Sequence, residues 1–199
     1  MNAEVDVELR EQIRKLCARY PSEYWQKCDR ARVYPEKFVQ ELTDAGYLAC
    51  LIPEQYGGAG LGIREAAVIL EEIHRSGGNA AACHAQMYTM GTLLRHGSPE
   101  QKERWLTGIA SGALRLQAFA VTEPDAGSDT ASISTFAERK GDRYIVNGKK
   151  IFISRMQHSD LMVLLARTTP RADVEKRTQG LSVFVVDLRD AGDSVHVQP

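Results

Sequence analysis

The sequence predicts an α+β protein in which a helical half precedes a half built of strands. Before about residue 113, apolar residues recur at the three-and-four spacing of helices. From about residue 114, strand-length runs of apolar and β-branched residues take over. Because the two kinds of element are segregated along the chain, the order indicates α+β rather than a parallel α/β fold. We therefore expect two domains, residues 1–113 and 114–199.

Residues that favour helix ends delimit the first two predicted helices. Pro35 suits a first helical turn and Gly46 suits a left-handed C-terminal cap, which predicts a helix over roughly 35–45. A second helix is predicted from a buried apolar stripe at helical spacing. The stripe consists of Ile63, Ala66, Ala67, Leu70 and Ile73.

A third helix is predicted over Ala80–Arg95, and a fourth begins after it. Ser98, Pro99 and Gln101 offer an N-cap, a first-turn proline and a capping-box glutamine. The inward face of the fourth helix is formed by Trp105, Leu106 and Ile109. We expect four or five helices in this half.

At least five strands are expected in the second half. Asn147-Gly148 is a strong hairpin signal, which predicts that Arg143–Ser154 forms two strands joined at that pair. Continuous apolar runs predict strands over Leu161–Thr168 and Leu181–Leu188. A strand-like segment, Ser194–Pro199, has no closing element after it, so we expect the β domain to be incomplete.

Composition excludes several classes of partner. The 25 basic and 26 acidic residues give a net charge of -1, so no basic footprint for nucleic acid or an anionic membrane surface is present. Four cysteines without a C-x-x-C pair argue against a disulfide framework or a thiolate metal site. Met1–Arg10 is acidic and lacks an apolar core, so we expect no secretory signal and no membrane span.

The segment Phe119–Asp129 carries the first chemical signal. A short apolar strand leads into Glu123-Pro124, where proline forces extended geometry and a sharp turn. The following residues, Asp125–Asp129, supply a glycine and consecutive backbone amides that can cradle a pyrophosphate. Taken alone, a turn of this composition is more often an ordinary polar turn.

A second signal lies in Ile151–Ser154. If this segment is a strand, Phe152 and Ser154 point to the same face and can cover and hydrogen-bond one planar ligand. Core packing of Phe152 is the alternative, because aromatic residues in strands usually point inward.

Together these two segments resemble a known family. Val121–Asp129 followed by Asn147–Ser154 is similar to the paired flavin-binding signature of the acyl-CoA dehydrogenases. Three stretches of the helical half, Leu51–Leu61, the Glu71-Glu72 helix and His96–Leu106, resemble that family's helical domain in order and spacing. The resemblance covers nearly the whole chain from Tyr34 onward.

The resemblance implies FAD as the cofactor and a β-barrel-like middle domain after the helical one. It implies that a further C-terminal helical domain, present in the family, lies outside residues 1–199, and with it the glutamate that acts as the base. Glu123 is expected to orient the turn rather than to serve as base. The implied cofactor-binding residues are Phe119, Ala120, Val121, Thr122, Gly127, Ser128, Phe152, Ile153 and Ser154.

The family also implies roles and partners. Thr122 would hydrogen-bond the flavin ring, Ser128 would contact both cofactor and the pantetheine arm of an acyl-CoA, and Ser154 would bond near flavin N5. Electron-transferring flavoprotein would accept the electrons, and the assembly would be a homodimer or homotetramer in the cytoplasm or mitochondrial matrix. Family members often have tryptophan and threonine where Phe152 and Ser154 stand, and Arg155 adds a charge at the rim.

Several alternatives stay open. The same fold could serve an acyl-CoA oxidase or a flavin monooxygenase, or the chain could be a non-catalytic remnant or an interaction subunit. Metal binding is disfavoured because Glu71-Glu-Ile-His74 is a single Glu-x-x-His step. Cys83 and His84 are adjacent on a helix and point apart, so a catalytic dyad is disfavoured as well. Met87 and Met90 lie on the helix that lines the acyl pocket in the family, with core packing as the alternative.

Overall fold

The protein consists of two compact units, Met1–Arg115 and Leu116–Pro199. The computed structural model describes residues 3–198, so the expectations drawn from Met1–Arg10 and Ser194–Pro199 fall partly outside the described residues. Within that range the first unit is helical and the strands lie in the second unit. The predicted α+β class is confirmed.

The first unit contains six α-helices among its described residues, one more than the upper limit expected. They are α1 Ala3–Cys17, α2 Ser22–Ala31, α3 Glu36–Asp44, α4 Ile63–Arg75, α5 Ala81–His96 and α6 Pro99–Ala110. The last four correspond to the four predicted helices. The signal for α1 was present in the sequence, because Leu9, Ile13 and Leu16 recur at helical spacing and the last two are buried.

Two predicted helix ends are confirmed. Gly46 follows α3 with φ of +76°, a left-handed conformation that a glycine adopts without strain. At the start of α6 the backbone N–H of Gln101 donates to the Ser98 hydroxyl, and the Ser98 N–H donates to the Gln101 side chain. These reciprocal bonds form the predicted capping box.

The predicted stripe of α4 was partly wrong: Ala66 and Ile73 are buried and Leu70 packs against the core, but two other members are exposed. Ile63 is 79% exposed and Ala67 is exposed as well. The buried face instead consists of Glu65, Ala66, Val68, Ile69, Glu72 and Ile73. Two carboxylates belong to it because each has donors there: the Gly62 N–H for Glu65, and arginines of α1 for Glu72.

The second unit is a five-stranded mixed sheet. Its strands are β1 Leu116–Ala120, β2 Phe136–Lys140, β3 Arg143–Asn147, β4 Leu161–Arg167 and β5 Leu181–Asp187. β4 pairs parallel with β1 and antiparallel with β5, and its last residue, Arg167, pairs with Phe136 of β2. One face of the sheet is an apolar cluster of Ala118, Ala120, Met162 and Leu164, against which Phe184, Val186, Ile153 and Met156 pack.

The hairpin predicted at Asn147-Gly148 was wrong. The hairpin joins β2 to β3 through Gly141-Asp142, and Gly141 has φ of +65° at the first turn position, where two-residue hairpin turns favour glycine. Gly148 has another reason to be glycine, because a Cβ there would lie 2.2 Å from the Thr135 hydroxyl oxygen. The chain after Asn147 therefore passes closely beside Thr135 instead of turning back on β3.

The other strand predictions had mixed outcomes. The strands predicted over Leu161–Thr168 and Leu181–Leu188 are confirmed as β4 and β5. The final strand was wrong for residues 194–198, which are not strand, and Pro199 lies outside the described residues. Among residues 3–198 no helix is both long and apolar enough to cross a lipid bilayer.

Candidate functional site

The first predicted segment leaves the sheet at the carboxyl end of β1, beside the parallel strand β4. Ala120 is buried, with 1% of its surface exposed. Phe119 is 38% exposed, and Val121 and Thr122 are half-buried. The side chains of Phe119 and Thr122 are thus accessible where β1 ends.

The turn expected after Thr122 is present. The Glu123 N–H donates to the Ala126 carbonyl at 3.0 Å, and the Ala126 N–H donates back to the Glu123 carbonyl at 3.2 Å. Pro124 and Asp125 occupy the two central positions, and proline presets the backbone angle of the first of them. The two reciprocal bonds close the turn tightly.

The Glu123 side chain holds this turn against two other segments. Its carboxylate, 4% exposed, accepts hydrogen bonds from the backbone N–H groups of Ser134 at 2.7 Å and Thr135 at 2.9 Å. It also accepts from the Ser134 hydroxyl and from the Lys150 ammonium, each at 2.8 Å. A buried carboxylate with this many donors is satisfied in its charged form.

The electrostatics of Glu123 follow from these contacts. Burial by itself raises the pKa of the carboxyl, and this is the largest single effect. The Lys150 ammonium and the N–H groups of Ser134 and Thr135 together outweigh it and lower the pKa of Glu123 to about 2. Glu123 therefore stays ionised and orients the turn, as expected from the sequence, and does not have the properties of a general base near neutral pH.

Lys150 and Ile151 join the second predicted segment to the first. The Lys150 ammonium donates to the Val121 carbonyl at 2.9 Å as well as to Glu123. The Ile151 N–H donates to the Thr122 carbonyl at 2.9 Å. The two segments, separated by more than twenty residues in the sequence, are thus adjacent in the fold.

Residues 151–154 are not a strand, so the expected same-face geometry of Phe152 and Ser154 was wrong. Phe152 has φ of +58° and is 88% exposed. The Ser154 N–H donates to the Phe152 carbonyl at 3.1 Å, which curls the chain, and Ile153 packs on the sheet. Core packing of Phe152 is excluded by its exposure, while Ile153 is half-buried.

The conformation of Phe152 lowers the stability of the fold in two ways. The left-handed region is strained for a residue with a Cβ, and an exposed aromatic ring forgoes burial. Arg155 also has a positive φ, of +64°, so two residues with a Cβ and a positive φ lie within four positions. Clustered strain of this kind is typical of binding sites, where the surrounding structure enforces it.

The glycine-containing end of the first segment lies at the surface. Gly127, Ser128 and Asp129 are exposed. Gly127 is not in the left-handed region, and a Cβ at this position would meet open space. The Thr130 hydroxyl donates to the Gly127 carbonyl at 3.3 Å.

Two residues that position these segments were not identified from the sequence. The side chain of Lys150 is only 9% exposed. From the sequence alone, Lys149 and Lys150 both look like solvent-exposed lysines. Arg167, at the end of β4, is 3% exposed and appears in the sequence as the polar end of an apolar run. Their signal was weak, because a single charged residue beside apolar ones is usually at the surface.

The rival sites of the first unit have structural explanations. The Glu72 carboxylate pairs with Arg10 and Arg14, and Arg14 above all lowers its pKa to about 2, against the opposing effect of burial. Burial raises the pKa of the Cys83 thiol, which disfavours a reactive thiolate. Met87 and Met90 are buried, as core packing requires. Among residues 7–198 no three potential metal-ligating side chains cluster together.

Two family profiles match the chain. Residues 4–113 match the N-terminal domain of acyl-CoA dehydrogenase, and residues 118–199 match the middle domain of acyl-CoA dehydrogenase. The matches follow one another along the chain in the order that the sequence resemblance indicated.

Curated relatives agree with this assignment. The chain is 36% identical over 193 residues to the 3-(aryl)acrylate reductase of Clostridium sporogenes, covering 94% of this chain and 50% of the relative. It is 39% identical over 165 residues to the cyclohex-1-ene-1-carbonyl-CoA dehydrogenase of Geobacter metallireducens, covering 82% and 42%. It is 33% identical over 195 residues to the CarC subunit of the caffeyl-CoA reductase-Etf complex of Acetobacterium woodii, covering 94% and 50%.

A solved structure shares the fold. The acyl-CoA dehydrogenase of Geobacillus kaustophilus matches with a TM-score of 0.85 and 31% identity, covering 94% of this chain and 49% of that one. The chain spans about half the length of the curated relatives and of the solved structure that it matches.

Proposed function

Because the chain belongs to the acyl-CoA dehydrogenase family, we propose that it binds FAD through residues 119–129 and 150–154 and serves the α,β-dehydrogenation of an acyl-CoA thioester. One observation above all supports this proposal. Lys150 and Ile151 bond to the carbonyls of Val121 and Thr122 and so bring the two flavin-type segments side by side.

The residues present fit a flavin. A planar ring needs an apolar surface to cover it, and Phe152 is the most exposed large apolar side chain among the described residues. A ring with several hydrogen-bonding edges and a pyrophosphate also need donors, which the hydroxyls of Thr122, Ser128 and Ser154 can supply. Membership of the family favours FAD over other flavins.

Each residue then has a specific role. The backbone of Phe119–Val121 and the Thr122 hydroxyl would line one edge of the flavin ring. Phe152 would cover a ring face, with Ile153 contributing its backbone, and Ser154 would donate near N5. Gly127 and Ser128 would hold the pyrophosphate, and Ser128 would also contact the pantetheine arm of the substrate.

These contacts supply binding, orientation and electrostatic stabilisation. When bound, the flavin accepts the hydride that leaves the substrate Cβ. Thr122 and the adjacent amides would stabilise negative charge on the reduced ring and thereby raise its affinity for electrons. Phe152 would keep water from the ring face that it covers.

The proton at the substrate Cα must go to another residue. Glu123 does not serve as this base, since its pKa of about 2 and its four hydrogen bonds fix it as a charged structural group. We retain the prediction that a glutamate outside residues 1–199 takes the proton. Assembly as a homodimer or homotetramer also stays a prediction.

Electron-transferring flavoprotein is the proposed electron acceptor. Similarity to the CarC subunit, which is named as part of a complex with Etf, supports this partner. If oxygen were the acceptor instead, hydrogen peroxide or a hydroxylated product would accumulate during turnover, which would favour the oxidase or monooxygenase alternative.

Similarity to a 3-(aryl)acrylate reductase favours a second candidate reaction, the reduction of an α,β-unsaturated acid derivative. This reaction would use the same flavin site, with hydride transferred from the reduced flavin to the substrate. Mixing a form of the protein that includes the proposed base with an acyl-CoA and an artificial oxidant, and separately with an enoyl-CoA and a reduced electron donor, distinguishes the two directions by mass spectrometry of the acyl product.

Cofactor binding can be tested directly on this chain. Titration with FAD should shift the flavin absorbance bands, and Phe152→Ala should weaken binding about 3- to 10-fold because an aromatic contact is lost. Tyr144→Ala, which removes another exposed ring of the same unit, is the matched control and should bind FAD normally. Absence of any spectral shift, or equal affinity of wild type and Phe152→Ala, would contradict the proposal.

A further inference from the structure

Arg167 is a buried cation that bonds only to backbone carbonyls among the described residues. Its Nε donates to the Ile133 carbonyl at 3.0 Å, and its Nη1 donates to the Gln179 carbonyl at 3.3 Å. Its Nη2 donates to the carbonyls of Ala131 at 2.5 Å and Arg177 at 3.2 Å. One guanidinium thus fastens the loop after Asp129 to the loop before β5.

This arrangement leaves a positive charge without a carboxylate partner. Burying a charge costs free energy, and a buried arginine with a purely structural role would normally form an ion pair with an acidic side chain. Carbonyl dipoles satisfy the N–H groups of Arg167 but leave its net charge uncompensated. The positive charge therefore acts on the adjacent loop, residues 127–133, which carries the proposed pyrophosphate contacts.

Arg177 extends the arrangement to the surface. Its guanidinium pairs with the Asp129 carboxylate and donates to the Ser132 hydroxyl at 2.6 Å, while its carbonyl accepts from Arg167. The pairing neutralises the acidic side chain next to Ser128. With both arginines in place, the carbonyls of Ala131 and Ile133 are fastened by Arg167, and Asp129 is paired with Arg177.

We propose that Arg167 and Arg177 are positioning residues that hold residues 127–133 as a binding loop for the pyrophosphate of an adenine dinucleotide. The inference rests on the proposed function for the identity of that ligand as FAD. Neither arginine needs to touch the ligand. Arg167 supplies buried charge and backbone anchoring, and Arg177 removes the repulsion that a free Asp129 would cause.

The first test concerns the loop itself. In the 199-residue chain, Arg167→Lys keeps the charge but loses the planar guanidinium group with its several donors. Arg177→Ala removes the ion pair with Asp129. We expect amide hydrogen exchange of residues 130–133 to accelerate about tenfold or more in both variants, with β5 amides unchanged. Unchanged exchange in the loop would overturn the inference.

A matched control is available at the other end of the sheet. Arg189 pairs with Asp187 as Arg177 pairs with Asp129, and it lies two residues after the end of β5. The register of β4 and β5 places Asp187 opposite Leu161, about 20 Å along the sheet from Arg167. Arg189→Ala changes the net charge by the same amount as Arg177→Ala. It should leave the amide exchange of residues 130–133 unaltered.

The second test separates positioning of a phosphate loop from general structural support. FAD, ADP and riboflavin are titrated into wild type, Arg167→Lys, Arg177→Ala and Arg189→Ala. We expect roughly tenfold weaker binding of FAD and ADP by the first two variants, and riboflavin affinity within about twofold of wild type, because riboflavin has no pyrophosphate.

The outcomes distinguish the two proposals. Equal loss of FAD and riboflavin binding would show a merely structural role and overturn the inference, as would normal FAD binding by both variants. If wild type binds ADP but not FAD or riboflavin, the flavin assignment fails while the loop inference stands. If wild type binds none of the three, both fail.

Discussion

Two buried carboxylates, one in each unit, have nearly the same pKa but are bonded to different kinds of partner. Glu72 is 1% exposed and Glu123 is 4% exposed, and both have a pKa of about 2. Glu72 pairs with Arg10 at 2.5 Å and Arg14 at 2.7 Å, which fastens α4 to α1. Glu123 pairs with Lys150 and with backbone N–H groups of residues that belong to no helix and no strand ladder.

The difference shows what each carboxylate does. In the helical unit the backbone groups are already satisfied within α1 and α4, so Glu72 only joins two formed elements. In the sheet unit the turn at 123–126, the chain at 134–135 and the chain at 150–151 lack a common ladder, and Glu123 supplies their shared partner. Loops positioned in this way by a rigid sheet are where binding residues concentrate.

The largest expected effect comes from removing the cation that pairs with Glu123. Lys150→Met leaves Glu123 buried with no cation and should destabilise the second unit by about 3–5 kcal/mol. Arg14→Met should destabilise the first unit much less, because Arg10 remains on Glu72. Amide exchange of β4 reports the second unit, and fluorescence of Trp25 and Trp105, both in the first unit, reports the other.

A double variant checks that the effect is one of charge. Glu123→Gln with Lys150→Met removes the carboxylate charge together with its partner, and we expect it to recover a large part of the lost stability. Equal destabilisation by Lys150→Met alone and by the double variant would contradict the assignment of a buried charge at Glu123.

A smaller effect is expected from pH. The folded-state pKa of Glu123, about 2, lies below the ordinary value of 4.5, so its stabilisation is fully present above pH 4.5 and is lost as the pH falls towards 2. After allowance for solvent screening we expect about 2 kcal/mol to be lost over that range. Glu72 has the same direction of shift, so the first unit should also weaken in acid.

Single glutamine variants separate the two contributions. Glu123→Gln should flatten the acid dependence of β4 amide exchange and leave the acid transition of tryptophan fluorescence unchanged. Glu72→Gln should do the reverse. If either variant altered both profiles equally, the two carboxylates would not act within separate units.

The smallest expected effect concerns the strained residue beside the Glu123 contact. Phe152→Gly relieves the positive φ, worth about 1–2 kcal/mol, and loses about 0.5–1 kcal/mol through the greater freedom of the unfolded chain. We expect a net gain in stability of about 0.5–1 kcal/mol together with weaker FAD binding. Phe152→Ala, which keeps the strain, should not gain stability in thermal unfolding.

Patterns that depend on neighbours in sequence were predicted well. The capping box of Ser98 and Gln101 and the left-handed Gly46 involve bonds that span only a few residues, so residue type alone specifies them. The segment Phe119–Asp129 was found because its turn chemistry is local as well. The resemblance then indicated its partner, Asn147–Ser154.

Features that depend on distant contacts were missed or misjudged. Asn147-Gly148 was taken for a hairpin, although Gly148 is required by the hydroxyl of Thr135 on a different segment. The stripe of α4 was partly misplaced, because Glu72 is buried by contacts with Arg10 and Arg14, more than fifty residues earlier. Burial of a single charged side chain cannot be predicted until its partner has been located in space.

The most direct test of the account is the FAD affinity of three forms of this chain: wild type, the double variant Glu123→Gln with Lys150→Met, and Arg14→Met. The double variant removes the side-chain contacts of Lys150 that join the two proposed flavin segments, without leaving a buried charge, while the bond from the Ile151 N–H to the Thr122 carbonyl stays. Arg14→Met weakens the matched contact of the helical unit. We predict roughly tenfold or greater loss of FAD affinity in the double variant and an unchanged affinity in Arg14→Met. Equal FAD binding by all three folded proteins would contradict the claim that the Glu123–Lys150 contact positions the flavin site.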